Sequence, residues 1–143
     1  EFFESFGTLR LLDIFPLMMA TMKRGATLLV DELDASLHPM IIMSFIKIFH
    51  NDEINKNGAQ LIFNTHNPIF LNKNLFRRDE IKFVEKEEKE SILYSLSDFG
   101  TSGKNGVRNG ENYLKNYFIN KYGAITDVDF SDIFEKYMNQ ERK

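Results

Sequence analysis

Three residues of this 143-residue chain could do chemistry together: Asp31, Glu32 and His66. The first two close the run Ala26-Thr27-Leu28-Leu29-Val30-Asp31-Glu32, where an apolar segment ends in adjacent carboxylates. An unpaired buried charge is costly, so acids at the end of an apolar strand imply a bound cation and a polarised water. Nucleotide hydrolysis uses such a pair: Asp31 for magnesium, through water, and Glu32 to orient or deprotonate the attacking water. His66 closes a second apolar run, Ala59–Asn64, followed by Thr65-His66-Asn67-Pro68. An imidazole there can donate to a γ-phosphate oxygen and sense its loss. Solvated acids and a hydrogen-bonded terminal histidine are the plain alternatives. Asp31, Glu32, His38 and His66 match no standard zinc-ligand spacing, which ranks a metal-cluster reading low.

The elements that must position these groups follow from pattern. The apolar runs read as strands, Thr27–Val30 and Ala59–Asn64, each buried on both faces. Between them, Leu33–Pro39 reads as a loop and Met40–Phe49 as a helix, with Pro39 at its first turn. Strand, helix, strand predicts a right-handed βαβ unit with parallel strands, whose carboxyl ends are where ligands collect. Upstream, Ser5-Phe6-Gly7-Thr8 feeds a helix of about Leu9–Arg24, with Ser5 or Thr8 as N-cap and Gly25 as C-cap. Its apolar residues nearly surround the axis, predicting burial on most sides, and Pro16 predicts a kink or a division. A helix start offers free N–H groups to a phosphate, and Gly7 would allow close approach; an ordinary capped helix accounts for the same residues.

The remainder has a different texture. Pro68–Leu75 reads as a short helix and Arg77-Arg78-Asp79-Glu80 as a charged turn, its arginines either gripping a phosphate or pairing with the neighbouring acids. Ile81–Val84 and Ser91–Leu96 read as two strands flanking the charged segment Glu85–Glu90, together a hairpin. Asp98–Asn112 reads as a mobile loop, and Tyr113–Tyr122 and Phe130–Tyr137 as helices with aromatic faces.

Composition sets the outer bounds. Hydrophobic residues make up 43%, with 14 Phe and no Trp, enough for the core of one domain. A net charge of −3 argues against a chain that binds nucleic acid by overall charge. The absence of Cys excludes disulfides and thiolate metal sites and fits a reducing, cytoplasmic setting. No apolar stretch reaches the length of a membrane span.

In their order, these segments resemble the ABC-type ATPase heads of the SMC and RecF class. Ser5-Phe6-Gly7-Thr8 is similar to the signature motif, with Phe6 where glycine is common. Thr27–Glu32 is similar to Walker B, Asp34 to the acid of the following loop, and His66 to the switch histidine. More narrowly, Glu4–Thr8, Asp31–Pro39, Thr65-His66-Asn67, Arg77-Arg78-Asp79, Tyr94–Asp98 and Tyr122-Gly123-Ala124-Ile125 resemble AAA-family ATP-binding proteins of abortive-infection and restriction-associated loci.

The resemblance implies an α/β fold, the C-terminal lobe of a P-loop NTPase with parallel core strands, a β-hairpin and helices. Residues 1–76 would form the ATPase lobe and residues 77–143 its hairpin and helical tail. ATP and magnesium are the implied cofactors. A second protomer is implied by head-to-head closure, in which Ser5, Gly7 and Thr8 act on the partner's nucleotide while Asp31, Glu32 and His66 act on their own; Asp34 sits in the loop reaching across. A separate effector protein and DNA are further candidate partners. The family's Walker A loop, G-x-x-x-x-G-K-[ST], does not occur in these residues; Gly103-Lys104 follows no strand and leads into no Ser or Thr. The expectation is an ATPase lobe that needs a missing N-terminal half and is inactive alone. A DNA-repair or chromosome-maintenance ATPase head, a non-catalytic interaction module and a fused Toprim-type nuclease are the competing readings.

Overall fold

The computed structural model describes residues 4–101, 106–108, 110–125 and 129–140. It is a mixed α/β chain with a small parallel sheet, an antiparallel hairpin and four α-helices among these residues.

Helix α1 spans Phe6–Arg24 and runs through Pro16 undivided. Ser5 caps it, its hydroxyl accepting from Thr8 N–H at 3.1 Å. Gly25 ends it in the left-handed region (φ 62°), and a side chain there would run into the carbonyl of Asn57. Asn57 in turn donates to the last carbonyls, Met22 O at 3.2 Å and Lys23 O at 3.0 Å. These are the groups a helix end leaves unsatisfied.

Strand β1 (Thr27–Val30) leads through a turn-rich loop to α2 (Pro39–Phe49), and β2 (Gln60–Phe63) returns parallel to β1, with Leu29 opposite Ile62. His38 caps α2, its Nδ1 accepting from Met40 N–H at 3.2 Å, so this histidine is a cap rather than a ligand. Helix α2 buries Ile42, Phe45, Ile46 and Phe49, the i, i+3, i+4, i+7 spacing of one helical face. They join Ile14 and Met18 of α1 and the inward residues of the sheet, Leu28, Val30, Leu61 and Phe63.

The strands are not buried on both faces as expected. Both helices pack on the side of Leu28 and Phe63; on the other, Leu29 is 73% and Ile62 54% exposed. Helix α1 is likewise not enclosed: only Ile14 and Met18 are buried, while Phe6, Leu9, Leu12, Phe15, Leu17 and Met19 are exposed. One layer of helices on a two-stranded sheet cannot cover both.

Pro68–Phe70 forms a 3-10 turn capped by Asn67, not a helix reaching Leu75. The hairpin of β3 (Lys82–Glu87) and β4 (Glu90–Ser95) places most of the charged segment inside strands rather than between them. A second 3-10 turn, Leu96–Phe99, carries a capping box between Ser95 and Asp98. Helix α3 is shorter than expected (Tyr113–Phe118), and α4 spans Ser131–Gln140 with its described side chains exposed.

The second cluster gathers Ile81, Phe83, Leu96, Val107, Tyr113 and Tyr122. Phe83 stacks on Tyr122 at 5.2 Å and on Tyr117 at 6.2 Å. Tyr94 donates to the carbonyl of Tyr122 at 2.6 Å, so the Tyr122–Ile125 stretch is built into this core. Val107 is fully buried, which anchors part of the segment expected to be a mobile loop; its residues 102–105 and 109, and with them Gly103-Lys104, lie outside the described residues.

The arginine pair is internally engaged. Arg77 contacts Asp79 at 3.2 Å and Glu80 at 3.3 Å, and Arg78 donates to the carbonyls of Leu96 and Gly100 at 3.3 and 2.6 Å. Arg77 thus pairs with the neighbouring acids, while Arg78 is held by backbone carbonyls instead.

Glu111 ties α3 to its flanks. It accepts from Lys121 Nζ at 2.8 Å, Arg108 N–H at 3.1 Å and Asn116 Nδ2 at 2.7 Å. These donors, Lys121 foremost, lower its pKa from 4.5 to about 2. A carboxyl with a depressed folded pKa contributes stability that is present above pH 4.5 and lost as the pH falls from there through about 2. The urea midpoint of the wild type therefore falls across that window, and Glu111→Gln flattens that part of the curve. Equal slopes in both proteins would show the network to be energetically idle.

Candidate functional site

Of the three chemically promising side chains, Glu32 and His66 meet, and Asp31 directly precedes Glu32. The parallel pairing of β1 and β2 sets Asp31-Glu32 and Thr65-His66 at neighbouring carboxyl ends. His66 Nε2 lies 3.7 Å from Glu32 Oε1, within ion-pairing reach of a protonated imidazole and longer than a hydrogen bond. The two side chains are 90% and 57% exposed, so their attraction adds little stability and leaves both open to a ligand.

Local backbone geometry explains how each is presented. Glu32 adopts φ 47° and Ser36 φ 65°, left-handed values uncommon for residues other than glycine. They bracket a tight series of turns in which Ala35 N–H donates to Glu32 O and Leu37 N–H to Asp34 O. Leu33 and Leu37 point inward from this loop and are buried, pinning it to the core. On the other strand, Asn67 N–H donates to Thr65 Oγ1 at 3.0 Å and Asn67 Oδ1 accepts from Ile69 N–H at 3.1 Å. That turn leaves the His66 ring free.

Asn64, which the sequence reading treated only as the end of a strand, bridges the two acids. Its side chain donates to Asp31 Oδ1 and accepts from Glu32 N–H, both at 2.6 Å. A polar residue at the carboxyl end of a parallel strand was the available signal. Arg10 donates to the Asp31 carbonyl at 3.3 Å.

The helix-start residues stand beside this tip. The Ser5 and Thr8 hydroxyls share one hydrogen bond of 2.9 Å, which leaves one of the two free to donate elsewhere. A side chain on Gly7 would come within 2.6 Å of Ser36 O, so glycine is required there by the following loop of the same chain. Asp34 is half-buried in that loop. An open cleft of about 370 Å³ lies between Phe6, Arg10 and Asp13 on α1 and Asp31, Glu32 and Ser36; His66 is not in its lining. A larger cleft, about 510 Å³, is lined by Lys47, His50, Glu53 and Asn74 and does not include the acidic tip.

Among the described residues, no group of three His, Asp or Glu side chains could by itself hold a metal ion. Magnesium retains several waters and takes one or two carboxylates plus substrate phosphates. Asp31, with one oxygen engaged by Asn64 and the other available, fits that role and does not fit an all-protein metal cage.

The family model described as "AAA domain, putative AbiEii toxin, Type IV TA system" matches residues 2–72. That segment, which carries β1, β2 and the acidic tip, is similar to the AAA-domain family. No curated protein and no solved structure matches the chain. No helix among the described residues is long and apolar enough to cross a membrane.

Proposed function

We propose that this chain is the Walker B and switch-histidine lobe of an ATP-hydrolysing switch protein of the ABC type. The observation that carries the reading is the meeting of Glu32 and His66, 3.7 Å apart, at adjacent parallel strand ends beside Asp31. Bound Mg·ATP supplies the phosphoryl group to be transferred. Asp31 would help hold the magnesium, Glu32 would accept a proton from the water that attacks the terminal phosphorus as ADP leaves, and His66 would donate to that phosphate.

The phosphate-cradling loop comes from outside these 143 residues, since no G-x-x-x-x-G-K-[ST] occurs among them. Without it the lobe binds nucleotide weakly and turns over little ATP. Closure with a second protomer brings Ser5, Gly7, Thr8 and Asp34 toward the partner's nucleotide. The match to a toxin–antitoxin-associated domain supports a defensive role in which nucleotide-driven dimerisation controls a separate effector. A chromosome-maintenance ATPase head would share the site and differ by stimulation with DNA ends.

The assembled ATPase, this chain together with the segment bearing its P-loop, tests the reading through Asp31→Asn. The magnesium concentration for half-maximal turnover should rise about 10- to 100-fold, the usual effect of losing a group that orients a metal's waters. An unchanged magnesium requirement would remove Asp31 from the site and the Walker B reading with it.

A further inference from the structure

Asn64 follows the last residue of β2, and its main chain completes the ladder there. Its N–H donates to Val30 O at 3.4 Å, and its carbonyl accepts from Leu33 N–H at 3.3 Å. The side chain then turns onto the acidic tip of the neighbouring strand. Glu32 N–H can only donate, so the amide oxygen must face it, and the amide nitrogen must face Asp31. Both bonds are 2.6 Å, and the one to Asp31 is charge-assisted. A carboxylate at position 64 would satisfy Glu32 but set a like charge against Asp31. A leucine of similar size would satisfy neither.

The geometry points to Asn64 as the positioning residue of this site. It is a neutral clamp that turns the Asp31 carboxylate and secures Glu32 in its left-handed backbone, so that both acids are presented together. The inference rests on the ATPase reading of Asp31 and Glu32. One oxygen of Asp31 is committed to Asn64, which leaves the other to face a cation. An amide neither gains nor loses a proton in the working pH range, so the clamp itself is independent of pH.

Backbone NMR of this chain, isotopically labelled and assembled with the segment bearing its P-loop, tests this, with Mn²⁺ and ATP as the probe. In wild type, Mn²⁺ broadens the Asp31 and Glu32 amides first, and the Glu32 amide is protected from hydrogen exchange. Asn64→Leu should raise the Mn²⁺ concentration for half-broadening about tenfold, the scale of a lost orienting partner, with faster Glu32 exchange and an otherwise unchanged spectrum. Asn64→Asp should keep Glu32 protected while its Mn²⁺ midpoint becomes pH-dependent, a readout a purely structural role would not move. Wild-type Mn²⁺ midpoints and pH-independent binding in both variants would overturn the clamp and leave the ATPase reading standing. A wild-type chain whose Asp31 and Glu32 signals ignore Mn²⁺ would instead remove the metal site, and the inference with it.

Discussion

Replacing Glu32 by Gln should lower ATP turnover by about 10²- to 10⁴-fold, the range that general-base catalysis supplies, while ATP remains bound. The substitution is nearly isosteric. It leaves the backbone N–H of Glu32 on Asn64 and the carboxylate of Asp31 in place. What it removes is an oxygen able to accept a proton from water. Stability should change by no more than about 0.5 kcal/mol, because the side chain is largely exposed and its 3.7 Å approach to His66 is a weak surface interaction. The measurement is paired: single-turnover hydrolysis and thermal unfolding on the same assembled ATPase. Trapped nucleotide with an unchanged unfolding midpoint assigns Glu32 to the chemical step. Turnover at the wild-type rate would show that water is activated by another group.

Which parts of this arrangement could be read from sequence depends on whether the deciding interaction is local. The caps of α1 and the strand–helix–strand order follow from nearest neighbours: Ser5 reaches Thr8, and Gly25 takes the left-handed turn only glycine takes freely. The approach of His66 to Glu32 was also legible, since parallel pairing of two strands fixes which ends lie together. Burial was not. Leu29 and Ile62 are as apolar as Leu28 and Leu61, yet only the latter pair meets helices. Hydrophobicity records which surface favours a cover, not whether these residues provide one.

The hairpin was legible, but its strands reach further into the charged segment than the sequence suggests. Lys82, Val84 and Lys86 share the face turned to water, while Phe83 is buried on the other face and Glu85, beside it, is half-buried with an oxygen 3.5 Å from the Tyr94 hydroxyl. The clamp made by Asn64 depends on a partner 33 residues away in sequence, so its polar character at a strand end marks the residue but not what it holds. Gly7 is similar: its closeness to Ser36 is a tertiary contact, and sequence offered only a phosphate as the thing approached.

Leu33→Ala should cost about 2–5 kcal/mol, the range for removing a buried leucine side chain where the surroundings cannot collapse. Leu33 has no exposed surface and directly follows the left-handed Glu32, so it fastens the acidic tip to the core shared by α1 and α2. Its main-chain N–H is also held, by Asn64 O at 3.3 Å. The loss is a large share of the roughly 5–15 kcal/mol that holds an ordinary domain together. Leu33→Met, which roughly conserves volume, should cost less than about 1.5 kcal/mol. Urea unfolding separates the two, and the comparison with Glu32→Gln is the sharper test. Adjacent positions should then split cleanly, residue 33 changing the unfolding midpoint and residue 32 changing catalysis. If Leu33→Ala leaves the midpoint where it was, the turn that presents Asp31 and Glu32 is not anchored in the core, and the left-handed geometry at Glu32 must be maintained by Asn64 alone.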